Sequence, residues 1–337
     1  MAETRIEWAD TVWNPVTGCN KVSAGCANCY AERMSKRLAG RYGYPKDEPF
    51  RVTLHPEKLD EPLKWKKPRR IFVNSMSDLF HEDVPDRFII KVFETMANAQ
   101  WFNGHTFMVL TKRPERMKRI VEAIKDDLDE QAELEKLPNG MTRRKMTFHF
   151  PLQNIWLGVY VENQAAADER IPLLLQTSAA VRFISAEPLL GPVSLSQWLL
   201  SPGWVPTYNN PDNYNCEESA EPTNENIQWV ITGGESGPGA RPVHPDWVRS
   251  LRDQCQAAEV PFFFKHWGEW QTFYDRDMDD PDWRNIPEIK PGVCRLNLEG
   301  GFGFHGDRVI YLQRVGKKKA GRMLDNREWN EFPEAWK

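Results

Sequence analysis

The sequence predicts a parallel α/β barrel, partial or full, carrying insertions and a C-terminal appendage. Short apolar, β-branched runs recur at Ile71–Ser75, Thr106–Thr111, Ile155–Val161, Val181–Ser185, Gln228–Thr232 and Pro261–Lys265. Each is of strand length and nearly continuous in apolar character, as strands covered on both faces of a parallel sheet are. Helical stretches alternate with them at Asp86–Gln100, Pro114–Ile124, Gln164–Gln176 and Pro245–Ala258, several opening on Asp or Pro. Polar residues gather directly after the runs, at the carboxyl ends of the strands, where a parallel barrel builds its active site.

The elements follow in order. A first short strand around Thr11–Asn14 leads into the loop Gly18–Tyr30, which opens a helix over Cys29–Leu38. Successive strands then end in Ser75–Asp78, Thr111–Arg113, Glu162-Asn163, Ala186–Pro188, Gly233–Ser236 and Lys265–Gly268. Lys125–Lys145 reads as a charged helical excursion, and Ser201–Asn226, rich in Pro, Asn, Glu and Ser, as a surface insertion. Beyond Gly268 the rhythm fades into an aromatic and Gly-rich tail. The expected organisation is a barrel domain over residues 1–268, with insertions near 125–150 and 201–226, and a lid or recognition appendage over 269–337.

With 337 residues, 40% of them hydrophobic, the chain can bury a full core, which excludes global disorder. A net charge of −4 gives no global field toward nucleic acid and leaves only local patches to do so. The N-terminus is acidic without an apolar core, and no apolar run approaches the ~20 residues that cross a bilayer. A cytoplasmic protein without membrane partners is expected.

Cys19, Cys26 and Cys29 share one short loop, whereas Cys216, Cys255 and Cys294 are isolated. Short cysteine spacings in a reducing compartment point to metal or redox chemistry rather than bridges. A structural zinc site closes with four ligands, and His55 or His81 would have to supply the fourth; an iron–sulfur cluster on three cysteines keeps one iron open.

A three-cysteine loop after the first strand, with Tyr30 directly after the last cysteine, resembles the radical S-adenosylmethionine superfamily, although six residues separate the first two cysteines where that superfamily usually has three. Trp13–Cys19, Ser185–Gly191, Gly233–Pro242 and Phe264–Gly268 resemble a phage and prophage family of three-Cys-motif, radical S-adenosylmethionine-like proteins. The resemblance implies a barrel of the radical S-adenosylmethionine type and a [4Fe–4S] cluster on Cys19, Cys26 and Cys29. It further implies S-adenosylmethionine as cofactor, cleaved reductively to a 5′-deoxyadenosyl radical, and a flavodoxin- or ferredoxin-type reductant. The location would be the host cytoplasm if the chain is phage-encoded.

Roles follow by position at the strand ends. Asp78, with Ser75 and Ser77, is a candidate for the methionyl ammonium. Glu162 and Asn163 are candidates for the ribose hydroxyls. Glu187 is a further cofactor candidate, Lys112 and Arg241 would neutralise a carboxylate or phosphate, and Glu235, Lys265 and His266 are candidate catalytic groups. Each has a plainer use: helix caps or surface carboxylates for Asp78 and Glu162, a tight turn for Gly233–Ser236, a buried hydrogen-bonded ring for His266.

Two basic clusters, Lys64–Arg70 with Trp65 inside it and Lys112–Arg119, suit phosphate contact and base stacking, or ordinary solvated surface. The substrate expectation is an amino-acid-substituted thymine in phage DNA, isomerised or otherwise modified. The rivals are a radical enzyme acting on a peptide or small metabolite, and a non-catalytic iron–sulfur or zinc module serving a partner protein.

Overall fold

In the computed structural model, seven strands form one parallel sheet in chain order: β1 (Thr11–Trp13), β2 (Arg70–Val73), β3 (Thr106–Thr111), β4 (Ile155–Tyr160), β5 (Val181–Ala186), β6 (Trp229–Thr232) and β7 (Phe262–Phe264). Residues 4, 6–131, 135–136, 142–143, 150–199, 226–277, 279–281, 285–302 and 308–334 are described. Spatial order equal to chain order is what same-handed strand–helix–strand crossovers produce. The sheet curls, and β1 and β7 stay unpaired with each other, so the architecture is a half-barrel, compatible with a partial (β/α) barrel.

The helices are α1 (Tyr30–Leu38), α2 (Asp86–Asn103), α3 (Pro114–Gln131), α4 (Gln164–Leu175), α5 (Ser196–Leu199) and α6 (Pro245–Ala257). Helix α3 runs past the expected Ile124 to Gln131. Lys125–Gln131, the start of the expected helical excursion, contains no Gly or Pro, and Leu128 continues the apolar spacing of Val121 and Ile124, so the helix extends through it. A small antiparallel pair, Glu135–Lys136 with Thr142–Arg143, follows it. The Ser201–Asn226 insertion lies outside the described residues except for Asn226.

Period-two alternation divides each strand between two cores. Ile71, Val73, Phe107, Val109, Leu157, Val230 and Phe262 face the helices. Phe72, Met108, Leu110, Trp156, Phe183, Trp229 and Phe263 fill the concave side. Trp8 and Phe332 pack into that concave cluster from the two ends of the chain, with ring centroids 6.2 and 5.3 Å from Trp229. Gly158 is required here, because a Cβ would stand 2.7 Å from the Phe183 carbonyl oxygen.

The tail forms a second, antiparallel sheet, with β8 (Trp270–Asp277) and β9 (Val293–Leu296) flanking β10 (Arg308–Arg314). After the short α7 (Lys317–Ala320), the chain returns along the outer edge of β7. Phe264 N donates to Trp329 O at 3.0 Å and Phe262 N to Glu331 Oε2 at 3.0 Å, so the edge does not stay open. Among the described residues no helix is long and apolar enough to cross a membrane.

Candidate metal and cofactor site

The cysteine loop lies over the carboxyl end of the sheet because several side chains fasten it there. Gly18 starts it with φ +87, and a Cβ would come 2.2 Å from Arg51 O, so only glycine fits. A 3₁₀ turn, Ala24–Cys26, follows, and Cys29 precedes the first turn of α1. All three cysteines are half-buried. Among the described residues no three His, Cys, Asp or Glu side chains converge closely enough to hold a single ion.

Each end of the loop has its own anchor. Arg113 donates to Cys19 Sγ at 3.7 Å while gripping Asp78 Oδ2 at 3.1 Å and Glu82 Oε2 at 2.9 Å. Lys112 Nζ donates to Ser23 Oγ at 3.0 Å, and Ser23 Oγ lies 3.7 Å from Cys26 Sγ. Asn28 donates to Glu235 Oε2 at 2.9 Å and to Gly239 O at 2.8 Å, and Arg33 on α1 donates to Ser236 O at 3.2 Å. Gly25 rests on the strand-end charges: a Cβ there would meet Lys112 Nζ at 2.6 Å and Glu162 Oε1 at 3.3 Å.

The loop's electrostatics differ from one thiol to the next. Burial pushes the Cys19 thiol up to about 11, with Asp78 adding to the effect and Arg113 opposing it. For Cys26 burial is outweighed by the Lys112 ammonium and by backbone hydrogen bonds from Val22 and Ser23, and the thiol falls below its ordinary value.

Counting by twos along the concave face reaches Lys112 after β3, Tyr160 and Glu162 at β4, Glu187 after β5 and Lys265 after β7. They form two ion pairs. Lys112 Nζ lies 3.6 Å from Glu162 Oε1, and Arg170 donates to Glu162 Oε2 at 2.8 Å. Glu162 Oε1 has no hydrogen bond of ordinary geometry among the described residues. Burial would raise this carboxyl, but the Lys112 charge, the Ser23 hydroxyl and Arg170 together hold it below the usual carboxylate range. Lys265 Nζ donates to both Glu187 oxygens, at 2.7 and 3.0 Å. The Lys112 ammonium also lies 5.3 Å from the centroid of the Tyr160 ring.

The other expected site residues are placed differently. Asp78 accepts from Thr111 Oγ1, Phe80 N, Lys112 N and Arg113, so its carboxylate is engaged within the chain. Ser77 donates to Val16 O and Ser75 to Asn14 Oδ1. Asn163 caps α4, accepting from Ala166 N at 3.0 Å. Glu235 is clasped by Arg241, through Nε at 2.9 Å and NH2 at 2.6 Å, as well as by Asn28. His266 is buried, its Nδ1 accepting from Gly268 N at 3.0 Å, and desolvation together with the Lys265 and Lys317 charges lowers it to about 2. Its Nε2 lies 3.8 Å from Glu187 Oε1.

His55 is buried against Thr17 Oγ1 at 2.8 Å, and His81 Nδ1 accepts from Asp83 N at 3.1 Å. Trp65 is buried, with the Arg69 guanidinium 5.4 Å from its ring centroid, so it is not an exposed stacking platform. Cys216 falls outside the described residues, and Cys255 is buried.

A family described as protein of unknown function (DUF5131) matches residues 3–333. The chain belongs to the DUF5131 family. No curated protein and no solved structure matches it. In this DUF5131 chain the site residues missed from sequence are Ser23, Asn28, Tyr160, Arg113 and Arg170. Tyr160 was open to parity counting, two positions before Glu162; Asn28 and Ser23 carried no comparable signal, because their partners are 207 and 89 positions away.

Proposed function

We propose that this chain is a radical S-adenosylmethionine enzyme whose [4Fe–4S] cluster is held by Cys19, Cys26 and Cys29. The observation that carries the reading is the fastening of a three-cysteine loop over the carboxyl mouth of a parallel half-barrel, against two charged pairs on its concave face. The donor set suits the cluster: three thiolates occupy three different irons, which calls for a wider spread than one ion does. When bound, the cluster and S-adenosylmethionine supply methionine and a 5′-deoxyadenosyl radical that abstracts a hydrogen from the substrate.

The chain's own part is to position and to exclude water. Trp8, Trp156, Phe183 and Trp229 form an apolar floor under the mouth. Glu162 Oε1 is available to a ribose hydroxyl, and Lys112 and Lys265 to a carboxylate. Glu187 has a single hydrogen-bonding partner among the described residues, Lys265, to exchange for the cofactor's ammonium, whereas Asp78 is held by four, Thr111, Phe80, Lys112 and Arg113. Asp78 then serves as the positioning residue that aims Arg113 at Cys19.

The substrate reading is an amino-acid-substituted thymine in phage DNA, a hydrogen of the substituent being the point of attack. Iron and sulfide analysis after anaerobic reconstitution tests the site, combined with electron paramagnetic resonance of the reduced protein. The expected result is about four irons in the wild type, with a spectrum that S-adenosylmethionine changes, and loss of both in each Cys→Ala variant. Bound zinc, or iron retained after all three substitutions, would overturn it.

A further inference from the structure

We propose that the tri-lysine turn of α7, together with Arg314 and Arg33, is a docking surface for the phosphate backbone of a DNA strand presented to the mouth. The choice of DNA rests on the radical S-adenosylmethionine reading above; the surface itself does not depend on it.

Lys317, Lys318 and Lys319 sit in a single helical turn bounded by two glycines of positive φ, Gly316 at 90° and Gly321 at 74°. Hydrogen bonds hold this turn against the segment that follows β7. Val315 N and Gly316 N donate to Glu269 O at 2.9 and 3.1 Å, and Trp267 N donates to Gly321 O at 3.1 Å. The neighbouring turn at Ser236-Gly237 links it to the cysteine loop. Arg314 donates to Gly237 O at 2.8 Å, and Arg33 to Ser236 O at 3.2 Å. One layer of chain therefore separates the lysines from the helix that starts at Tyr30.

Lys317, Lys318 and Lys319 place three positive charges on consecutive residues of one turn. Lys317 is paired with Glu7 at 3.2 Å. Lys318 and Lys319 are exposed and form no ion pair among the described residues. The clusters conspicuous in the sequence are different. In Lys112–Arg119, Arg113 is bound to Asp78 and Glu82, and Arg116 and Arg119 are bound to Asp86. Lys64–Arg70 lies at the amino end of β2, opposite the mouth, with Arg70 on Asp10. Lys64, Lys66 and Lys67 are likewise exposed and form no ion pair among the described residues, but they lie at the opposite end; Lys318 and Lys319 lie on the side of the sheet that also carries the cysteine loop.

A repeating phosphate chain matches adjacent point charges, and lysine binds phosphate as a point charge. Tyr30, 57% exposed directly after Cys29, lies one turn from Arg33 on the same helical face and offers a ring on which a base stacks. An acidic polypeptide would use the lysines without needing that ring.

Fluorescence anisotropy of the full chain with a short labelled DNA, single-stranded and duplex, tests this without S-adenosylmethionine or reductant. Over about 50 to 200 mM salt, Lys318→Gln/Lys319→Gln is expected to weaken binding about tenfold and to reduce the salt slope by about 1.4 on single strands or 1.8 on duplex. Lys66→Gln/Lys67→Gln, which removes the same charge at the opposite end, is expected to change neither. An unchanged slope in the first variant, equal loss in the second, or displacement of the DNA by polyglutamate as readily as by unlabelled DNA would overturn the proposal. Circular dichroism checks that both variants fold. Failure here leaves deoxyadenosine formation intact, and failure of the radical reading leaves salt-dependent DNA binding intact, so the two are separable.

Discussion

Asn28 Nδ2 donates to Glu235 Oε2 at 2.9 Å, so the residue before Cys29 is held by a carboxylate 207 positions further along the chain. The same carboxylate is clasped by Arg241, which keeps it below its usual range despite burial. The cysteine loop is therefore pinned to the end of β6 through a fixed negative charge.

Asn28→Ala removes that bond and the one to Gly239 O, and hydrogen bonds to charged groups contribute about 1.5–3 kcal/mol. A fall of about 2 kcal/mol in urea-unfolding stability is expected, with reduced iron retention during gel filtration. Wild-type values for both would show that the loop is held by other contacts.

Asp78→Ala strands the buried Thr111 hydroxyl and the Lys112 N–H and takes from the half-buried Arg113 one of its two carboxylates, Glu82 being the other. Removing one partner of a buried charged network costs about 3–5 kcal/mol. Denaturant titration of the protein without cofactors should show a loss of that size. A variant of wild-type stability that only binds S-adenosylmethionine more weakly would instead assign Asp78 to the cofactor.

His266 is neutral in the folded chain, with its pKa lowered from 6.5 to about 2 by desolvation and then by Lys265 and Lys317. The unfolded chain takes up the proton below 6.5 and the folded chain does not, so this stability is present above pH 6.5 and is lost as pH falls. Between pH 7 and pH 5 the loss from this one residue is about 2 kcal/mol. His266→Asn keeps an acceptor for Gly268 N, and its pH 7 to pH 5 loss should be smaller than wild type's by that amount. Equal losses would mean that His266 is not held neutral.

Gly158→Ala places a Cβ 2.7 Å from Phe183 O and 2.8 Å from its ring, and neither the backbone nor a fully buried ring can yield cheaply. Overpacking of this kind costs about 1–3 kcal/mol. Thermal unfolding should show a lowered midpoint, and an unchanged one would contradict the concave packing.

The parallel sheet was legible because runs such as Phe107–Leu110 and Trp229–Ile231 are buried on both faces and so read as continuous apolar segments. The charged excursion after Ile124 was legible as helix, but not its stop at Gln131 or the short antiparallel pair Glu135–Lys136 with Thr142–Arg143 that follows. The antiparallel tail was obscured by Gly and Pro around strands with only partial burial. At the site, strand-end position located Lys112, Glu162, Glu187 and Lys265 on one face. It did not separate these from Asp78 and Glu235, whose carboxylates look alike in sequence but each accept from several donors, Thr111, Lys112 and Arg113 on Asp78 and Asn28 and Arg241 on Glu235. The exposed Lys318 and Lys319 were overlooked because only the folded arrangement shows which basic residues lie on the side of the cysteine loop.

The central claim is tested most directly by measuring 5′-deoxyadenosine by chromatography after anaerobic reconstitution, with dithionite and S-adenosylmethionine, for the wild type beside Cys26→Ala. Deoxyadenosine is expected from the wild type and none from the variant. Equal product from both, or none from a wild type that carries zinc in place of iron, would contradict it.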